Sequence, residues 1–310
     1  MMKIRTVSII GLGAVGAMLA KYFSDKLPIN NVRVITNQSR MQRYKENGIY
    51  CNGERYNFNY VLPEEEGPAD LLIFCVKFNQ LQAAIQDARH QVGDHTIIIS
   101  ALNGISSEEI IGETFGMEKM LYCVAQGMDA VKIENQVNYQ DMGMLCFGER
   151  DNTIWNTKVT AVAEFFDTIE FPYEVPRDMD QRMWGKFMLN TGVNQTVAVF
   201  STNYGGIQVE GEPRNVMIAA MREVISLSEK VGINLSESDL TYWLDVLAKL
   251  NPLGMPSMRQ DMAASRKTEV GLFSGTVILL GKQYHVPTPI NEWLYEKVEE
   301  MEKGYNNSAM

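Results

Sequence analysis

The chain is short of several residue patterns that would assign a function quickly. Its 310 residues include only three histidines, His90, His95 and His285, and four cysteines, Cys51, Cys75, Cys123 and Cys146. None stands at H-E-x-x-H or C-x-x-C spacing, so no zinc or other metal site is expected. Cys75 and Cys123 fall inside apolar, strand-like runs, and the cysteines read as buried thiols of a reducing compartment. Positive charge is also scarce. Lys and Arg number 28 against 38 Asp and Glu, for a net charge of -10, and no basic run supplies the concentrated face that nucleic acid would need. No stretch approaches about 20 uninterrupted apolar residues. The apolar start is broken by glycines and lacks a cleavage pattern. A soluble cytoplasmic protein, with no nucleic-acid or membrane partner, is the expectation.

What is present is an enzyme-like composition, 45% apolar and 21% charged, in a chain longer than one hydrophobic core usually serves. Two domains are expected. The first is organised by its opening: Thr6 to Ile10 reads as a short buried strand, then Gly11-Leu12-Gly13-Ala14-Val15-Gly16 gives G-x-G-x-x-G spacing. An apolar helix pattern follows through Phe23. In that context the first glycine permits a tight turn, the second lets a phosphate approach the backbone, and the third lets helix and sheet pack closely. A pyrophosphate would then meet the unpaired N–H groups of a helix N-terminus.

The second strand, Val32 to Thr36, runs into Asn37, Gln38, Ser39 and Arg40, with Arg43 a turn later. An acid at that point would hold the ribose 2′-hydroxyl of NAD and repel the extra phosphate of NADP. A hydroxyl and two arginines stand there instead, which favours NADP; the alternative is that the arginines only solvate a helix. Residues 48–60 read as a small hairpin around Asn52-Gly53. A fully apolar run, Leu71 to Val76, suits a parallel strand covered on both faces, and Lys77 follows at its carboxyl end. Another strand ends at Ser100, ahead of Asn103-Gly104. Both positions lie on the edge where doubly wound folds bind ligands, although a solvated strand end and an ordinary turn would look the same. Further strands are expected at Leu121 to Gln126, Val131 to Val137, Met142 to Phe147 and Tyr173 to Val175, with a helix at Val159 to Ile169.

After Pro176, Arg177 and Asp178 the pattern turns helical, which places a boundary within 172–182 and divides the chain into domains 1–177 and 178–310. The first helix, Asp180 to Phe200, is largely apolar yet carries Lys186, Asn190 and Asn194 at successive i,i+4 positions, hence on one face. Burying such groups without partners is costly. If the face meets a bound nicotinamide, Lys186 can protonate a carbonyl oxygen as hydride arrives at its carbon, and the amides can orient substrate; a solvated stripe is the plainer alternative. Helices follow at Val216 to Gly232 and Glu237 to Leu250, with polar loops at Asn203 to Glu212 and Asn251 to Pro256. Ser257, with Gln260 three residues on, reads as a capping box. Glu269 reads as an acid able to pair with Arg266. Leu272 to Leu280 and Ile290 to Glu302 complete the helices, and Gly304 to Met310 reads as a disordered tail.

Taken in order, Gly11 to Gly16, Val76-Lys77, Asn103-Gly104, Trp184-Gly185-Lys186-Phe187 with Asn190 and Asn194, Ser257-Met258-x-Gln260-Asp261 and Thr268-Glu269 resemble the ketopantoate reductase (2-dehydropantoate 2-reductase) family over nearly the whole chain. The resemblance implies a Rossmann-type domain followed by an all-helical domain that closes over NADPH, and reduction of 2-dehydropantoate for pantothenate and coenzyme A synthesis. It implies Lys186 as catalytic lysine and Glu269 as the acid at the substrate's primary hydroxyl. It also makes Asn190, Asn194 and Ser257 substrate-binding, with Ser257 near the carboxylate, and places Lys77 and Asn103 beside nicotinamide and substrate. The cofactor set becomes Gly11, Leu12, Gly13, Ala14, Val15, Gly16, Ser39, Arg40, Lys77 and Asn103, and a homodimer is left open. Three positions depart from the family pattern: Asn37, where an arginine often stands; Gly271, where an acid is common; and Ser274, where asparagine is frequent. They keep in view the reduction of another small 2-oxo acid; dinucleotide sensing without turnover is a separate alternative, against which the presence of Lys186 and Glu269 argues.

Overall fold

The computed structural model describes residues 3–307. The chain divides into two units, Met1–Met179 and Asp180–Met310. The first is α/β and the second largely helical.

The first unit begins β1 (Val7–Ile10), α1 (Ala14–Lys26), β2 (Val32–Ile35), α2 (Gln38–Asn47), β3 (Ile49–Cys51), β4 (Glu54–Tyr56), β5 (Tyr60–Val61) and β6 (Leu71–Phe74). It continues with α3 (Leu81–Asp87), β7 (Ile97–Ser100), α4 (Ser107–Phe115), β8 (Met120–Gln126), β9 (Val131–Ile133), β10 (Gln136–Asn138), β11 (Met144–Gly148), α5 (Thr157–Thr168) and β12 (Tyr173–Glu174). The main sheet has the order β12-β11-β8-β7-β6-β1-β2-β5. From β8 to β5 the neighbours pair in parallel, while β11 runs antiparallel to β8. Successive strands step outward in both directions from β1, which makes its carboxyl end the topological switch point, where α/β sheets bind ligands.

The continuous apolar strands are explained by burial on both faces. Val7, Ile9, Leu71, Ile73, Ile97 and Ile99 join one core with Ala17, Phe23, Phe165 and Phe166 from α1 and α5. The alternate residues Ile10, Leu72, Phe74 and Ile98 join a second core with Ala84, Ile85 and Ile111 from α3 and α4. Period-two alternation therefore sorts one run into two apolar interfaces. All four cysteines are buried and free. The hairpin at Asn52-Gly53 forms, with both residues at positive φ. The expected strand 131–137 does not run through: Glu134 has φ 54° and turns the chain, and β9 and β10 pair with each other. They build a separate sheet, β4-β3-β10-β9.

The second unit contains α6 (Met179–Val199), α7 (Tyr204–Gln208), α8 (Glu212–Lys230), α9 (Glu237–Ala248), α10 (Ser257–Ala263), α11 (Ser274–Tyr284) and α12 (Pro289–Asn307). The loop expected at 203–212 holds α7, which starts where the Asn203 side chain accepts the Gly206 N–H and where the 252–254 turn accepts the amides of Tyr204 and Gly205. The tail expected from Gly304 is helical to Asn307; residues 308–310 lie outside the described part. Helices α6, α8, α11 and α12 are joined by a buried polar chain. Gln195 accepts the Ser274 N–H at 3.2 Å, Ser274 Oγ donates to Asn291 at 2.9 Å, and Asn291 Nδ2 donates to Glu223 at 2.7 Å. Glu223 also accepts the N–H groups of Ile290 and Asn291, satisfying orphan donors of α12. No helix among the described residues is long and apolar enough to cross a membrane.

Candidate active site

In the glycine turn the three glycines serve different ends. Gly11 has φ +102°, and a Cβ there would stand 2.8 Å from the Cys75 backbone. At Gly16 a Cβ would meet the Gly11 carbonyl oxygen at 1.9 Å. These two are demanded by the fold itself. Gly13 is not: its φ is -69°, and a Cβ would find only the Cys75 oxygen, at 3.7 Å, an ordinary contact. A glycine with no protein neighbour to avoid leaves an open cradle at the N-terminus of α1. No side chain caps that end, and no acid occupies the first turn. Those features suit a pyrophosphate held by backbone N–H groups.

A small cleft adjoins the turn, lined by Gly11, Leu12, Thr36, Asn37, Arg40, Tyr44 and Val76, with Asp87 on its α3 side. Asn37 is the N-cap of α2 and accepts the Arg40 N–H at 2.9 Å and the Ser39 hydroxyl at 3.0 Å. The residue standing where an acid would grip a ribose is thus used locally, and Arg40 is the cation presented to the cleft. Burial pushes the Asp87 carboxyl up, and Arg40 partly offsets that.

Lys77 and Asn103 are each three residues beyond the paired ends Phe74 and Ser100 of neighbouring parallel strands. They therefore sit at the same edge of the sheet as the glycine turn, because Ile10 pairs with Phe74. Lys77 is exposed and opens a short helical turn over 78–80; Asn103 is half-buried, before Gly104 at φ +95°.

In the second unit the polar face of α6 is formed. Asn190 and Asn194 are only 7% and 5% exposed, and Lys186 is half-buried. The Lys186 ammonium lies 6.0 Å from the centre of the Trp243 ring. Trp243, 3% exposed on α9, also explains the glycine before the lysine, since a Cβ at Gly185 would approach its indole nitrogen to 2.3 Å. Nothing in the spacing of α9 singles out that tryptophan, as the pairing is tertiary.

The segment after α9 departs from its local pattern at Ser257 and Glu269. Ser257 does not cap: Pro256 is the N-cap of α10, and Gln260 donates to the Met255 carbonyl instead. The Ser257 hydroxyl donates to Asn194 Oδ1 at 3.2 Å, and the Met258 N–H approaches the same oxygen at 3.3 Å. A helix start is thereby tied to the buried face of α6. Glu269 is not the partner of Arg266, whose guanidinium pairs with Asp261 at 2.9 Å. Glu269 is half-buried just ahead of α11, where its carbonyl accepts the N–H groups of Leu272 and Phe273. Of the departures, Ser274 is fully buried in the Asn291 network, so its hydroxyl serves the packing of the helices. Gly271 is exposed with nothing within 4 Å of an added Cβ. Among the described residues no cluster of three or more His, Cys, Asp or Glu is placed to hold a metal.

A doubly wound sheet with a glycine turn at its switch point, followed by a helical unit, is the architecture of two-domain dinucleotide-dependent oxidoreductases. The family model for "Ketopantoate reductase PanE/ApbA" matches residues 7–152, and that for its C-terminal part matches 178–302. The chain belongs to this PanE/ApbA ketopantoate-reductase-like superfamily. Among relatives, the 2-dehydropantoate 2-reductase of Aquifex aeolicus is 24% identical over 301 residues, covering 95% of this chain and 96% of the relative. That of Vibrio cholerae is 24% identical over 240 residues, covering 77% and 80%. Among solved structures, D-mandelate dehydrogenase with NADH and anilino(oxo)acetate superposes with a TM-score of 0.84 at 22% identity, covering 97% of this chain and 99% of that one. The dimeric ketopantoate reductase of Staphylococcus aureus gives 0.79 at 19% identity, covering 97% and 99%. These likenesses establish the fold.

Proposed function

We propose that the chain reduces 2-dehydropantoate to (R)-pantoate with NADPH. The observation that carries the reading is the α6 face: a lysine and two nearly buried asparagines at i,i+4 spacing, one asparagine already bonded to Ser257. Buried amides arranged beside an ammonium on an apolar helix suit the oxygens of a small 2-oxo acid.

When bound, the reduced nicotinamide supplies the hydride that adds to the 2-oxo carbon. Lys186 stabilises the negative charge that develops on the carbonyl oxygen and gives it a proton, so that hydride and proton together yield the 2-hydroxy acid. Asn190, Asn194 and Ser257 hold substrate oxygens, Ser257 at the carboxylate, and Glu269 accepts from the primary hydroxyl. The backbone N–H groups of the turn from Gly11 to Gly16 hold the pyrophosphate. Lys77 and Asn103, beyond adjacent strand ends, orient nicotinamide and substrate. The lack of an acid at Asn37, with Ser39 and Arg40 beside it, favours NADPH over NADH.

The test is oxidation of NADPH and of NADH by the purified chain with 2-dehydropantoate and a panel of 2-oxo acids, including an aryl one. NADPH-dependent turnover of 2-dehydropantoate is expected. Turnover confined to another acid would overturn the pantoate assignment and support the alternative that the open position at Gly271 suggests, a relative with a different 2-oxo acid. Cofactor binding without any turnover would favour dinucleotide sensing.

A further inference from the structure

The small sheet β4-β3-β10-β9 brings one residue to the glycine turn that its place in the sequence does not announce. Lys132, at the centre of β9, donates from its ammonium to the main-chain carbonyl of Leu12, inside the Gly11 to Gly16 motif. The same ammonium lies 5.7 Å from the centre of the Tyr44 ring, and the Arg43 guanidinium lies 5.4 Å from that ring. Arg40, Arg43 and Tyr44 fall at i, i+3 and i+4 of α2, hence on one face of it. Arg40 and Tyr44 line the cleft beside Leu12.

Two cations, Arg43 and Lys132, thus flank the Tyr44 ring at the corner between β2, α2 and the glycine turn, and Arg40 lines the cleft beside it, with Asp87 on the far side. No carboxylate among the described residues stands within ion-pair distance of Arg43 or Lys132, whereas Lys21 and Lys26 in the same unit each have one. Burial, reinforced by Arg43, pushes the Lys132 ammonium down to about 8. The other titratable groups facing it are Tyr44 on α2 and the Cys51 thiol on β3. Holding like charges together at a half-buried site is unfavourable unless an anion joins them. The end of β2 is where the ribose 2′ position of a dinucleotide lies in this fold. None of the cations comes from the first turn of α1, where the pyrophosphate would sit.

We propose that Lys132 is a cofactor-specificity residue, forming with Arg43 and Arg40 the seat of the 2′-phosphate of NADPH, in place of an arginine at Asn37. The inference rests on the dinucleotide-binding reading above and adds to it a residue from outside the β1-α1-β2-α2 segment. Lys132 moves from the Leu12 carbonyl to the phosphate, or bridges the two. A charge-assisted hydrogen bond and ion pair of this kind correspond to roughly 10- to 100-fold in affinity.

The experiment is direct titration of the full-length chain, Lys132→Met and Lys132→Arg with NADPH and with NADH between neutral and alkaline pH, with thermal unfolding of each cofactor-free protein. Lys132→Met is expected to lose roughly 10- to 100-fold in NADPH affinity while NADH binding changes by less than about three-fold. Lys132→Arg should keep NADPH affinity. In the original chain NADPH affinity should fall as pH rises through the Lys132 titration, because binding needs the charged form. Lys132→Arg should abolish that dependence, since guanidinium stays charged. Unchanged NADPH binding in Lys132→Met overturns the assignment. An equal loss with both cofactors also overturns it and makes Lys132 a strut of the glycine turn. An original chain that binds neither nucleotide overturns the dinucleotide reading as well, and so separates the two failures.

Discussion

The two units prepare their candidate sites from different materials. In the first, the glycine turn is backbone: Gly11 and Gly16 are fixed by contacts of 2.8 and 1.9 Å that any side chain would violate, and Gly13 is left open. In the second, the candidate site is side chain: helix packing brings Ser257 to Asn194, Asn190 lies one turn earlier on the same face of α6, and Trp243 lies against Lys186. Backbone sites tolerate almost no added atom but make few demands on polar chemistry. Side-chain sites sit on ordinary helices, where a substitution can remove function and leave the fold standing.

That contrast can be broken most severely at Gly16. Gly16→Ala drives a Cβ into the Gly11 carbonyl, so a loss of about 3 kcal/mol or more is expected from overpacking, together with loss of nucleotide binding; denaturant unfolding and cofactor titration check both. Lys186→Ala should do the opposite. Turnover should fall roughly 100-fold or more, equivalent to about 2.7 kcal/mol in the barrier, while the melting temperature moves little. A matched loss of stability would show that the lysine is part of the packing.

A third comparison uses a buried acid outside either site. Glu108 is fully buried on α4, where burial pushes its carboxyl up to about 8 although Ser107 donates to it at 2.9 Å. The folded chain thus keeps a proton on Glu108 that the unfolded chain has released above its ordinary value of 4.5. Its contribution to stability should therefore fall as pH rises from about 4.5 to about 8, then level off. Glu108→Gln should remove that slope and raise stability near neutrality by on the order of 2 kcal/mol; denaturant melts across that pH window are the readout. The smallest effect belongs to Gly271→Asp. With open space around it, stability should change by less than about 0.5 kcal/mol. Any change in the preferred 2-oxo acid would then report on substrate contact alone.

How far the sequence could be read followed the same division. Strand β1, the glycine turn and helix α1 were legible because strand, glycine spacing and helix pattern all fall within about twenty residues, although the close approach that Gly11 permits is to Cys75, far along the chain. The apolar runs of β6 and β7 were legible because burial on both faces leaves no polar position. The capping-box pattern at Ser257 is local, whereas the partner its hydroxyl finds, Asn194, is 63 residues away. Glu269 was offered Arg266 at helical spacing, but Asp261 is the partner in space. The run 131–137 was read as a strand without its turn, because Glu134 at positive φ is a rare state for a non-glycine residue.

The amino-acid order by itself determined the two-part plan, the glycine turn, and the placement of Lys186, Asn190 and Asn194 on one helix face. Periodicity and turn chemistry are properties of neighbouring residues. Only the tertiary structure decided that Ser257 belongs to Asn194, that Ser274 is a packing residue held by Asn291, that Trp243 lies beneath Lys186, and that Lys132 reaches Leu12 from a second sheet. Those pairings join residues far apart in the chain, and they form only when burial of the apolar faces has brought the helices and sheets together.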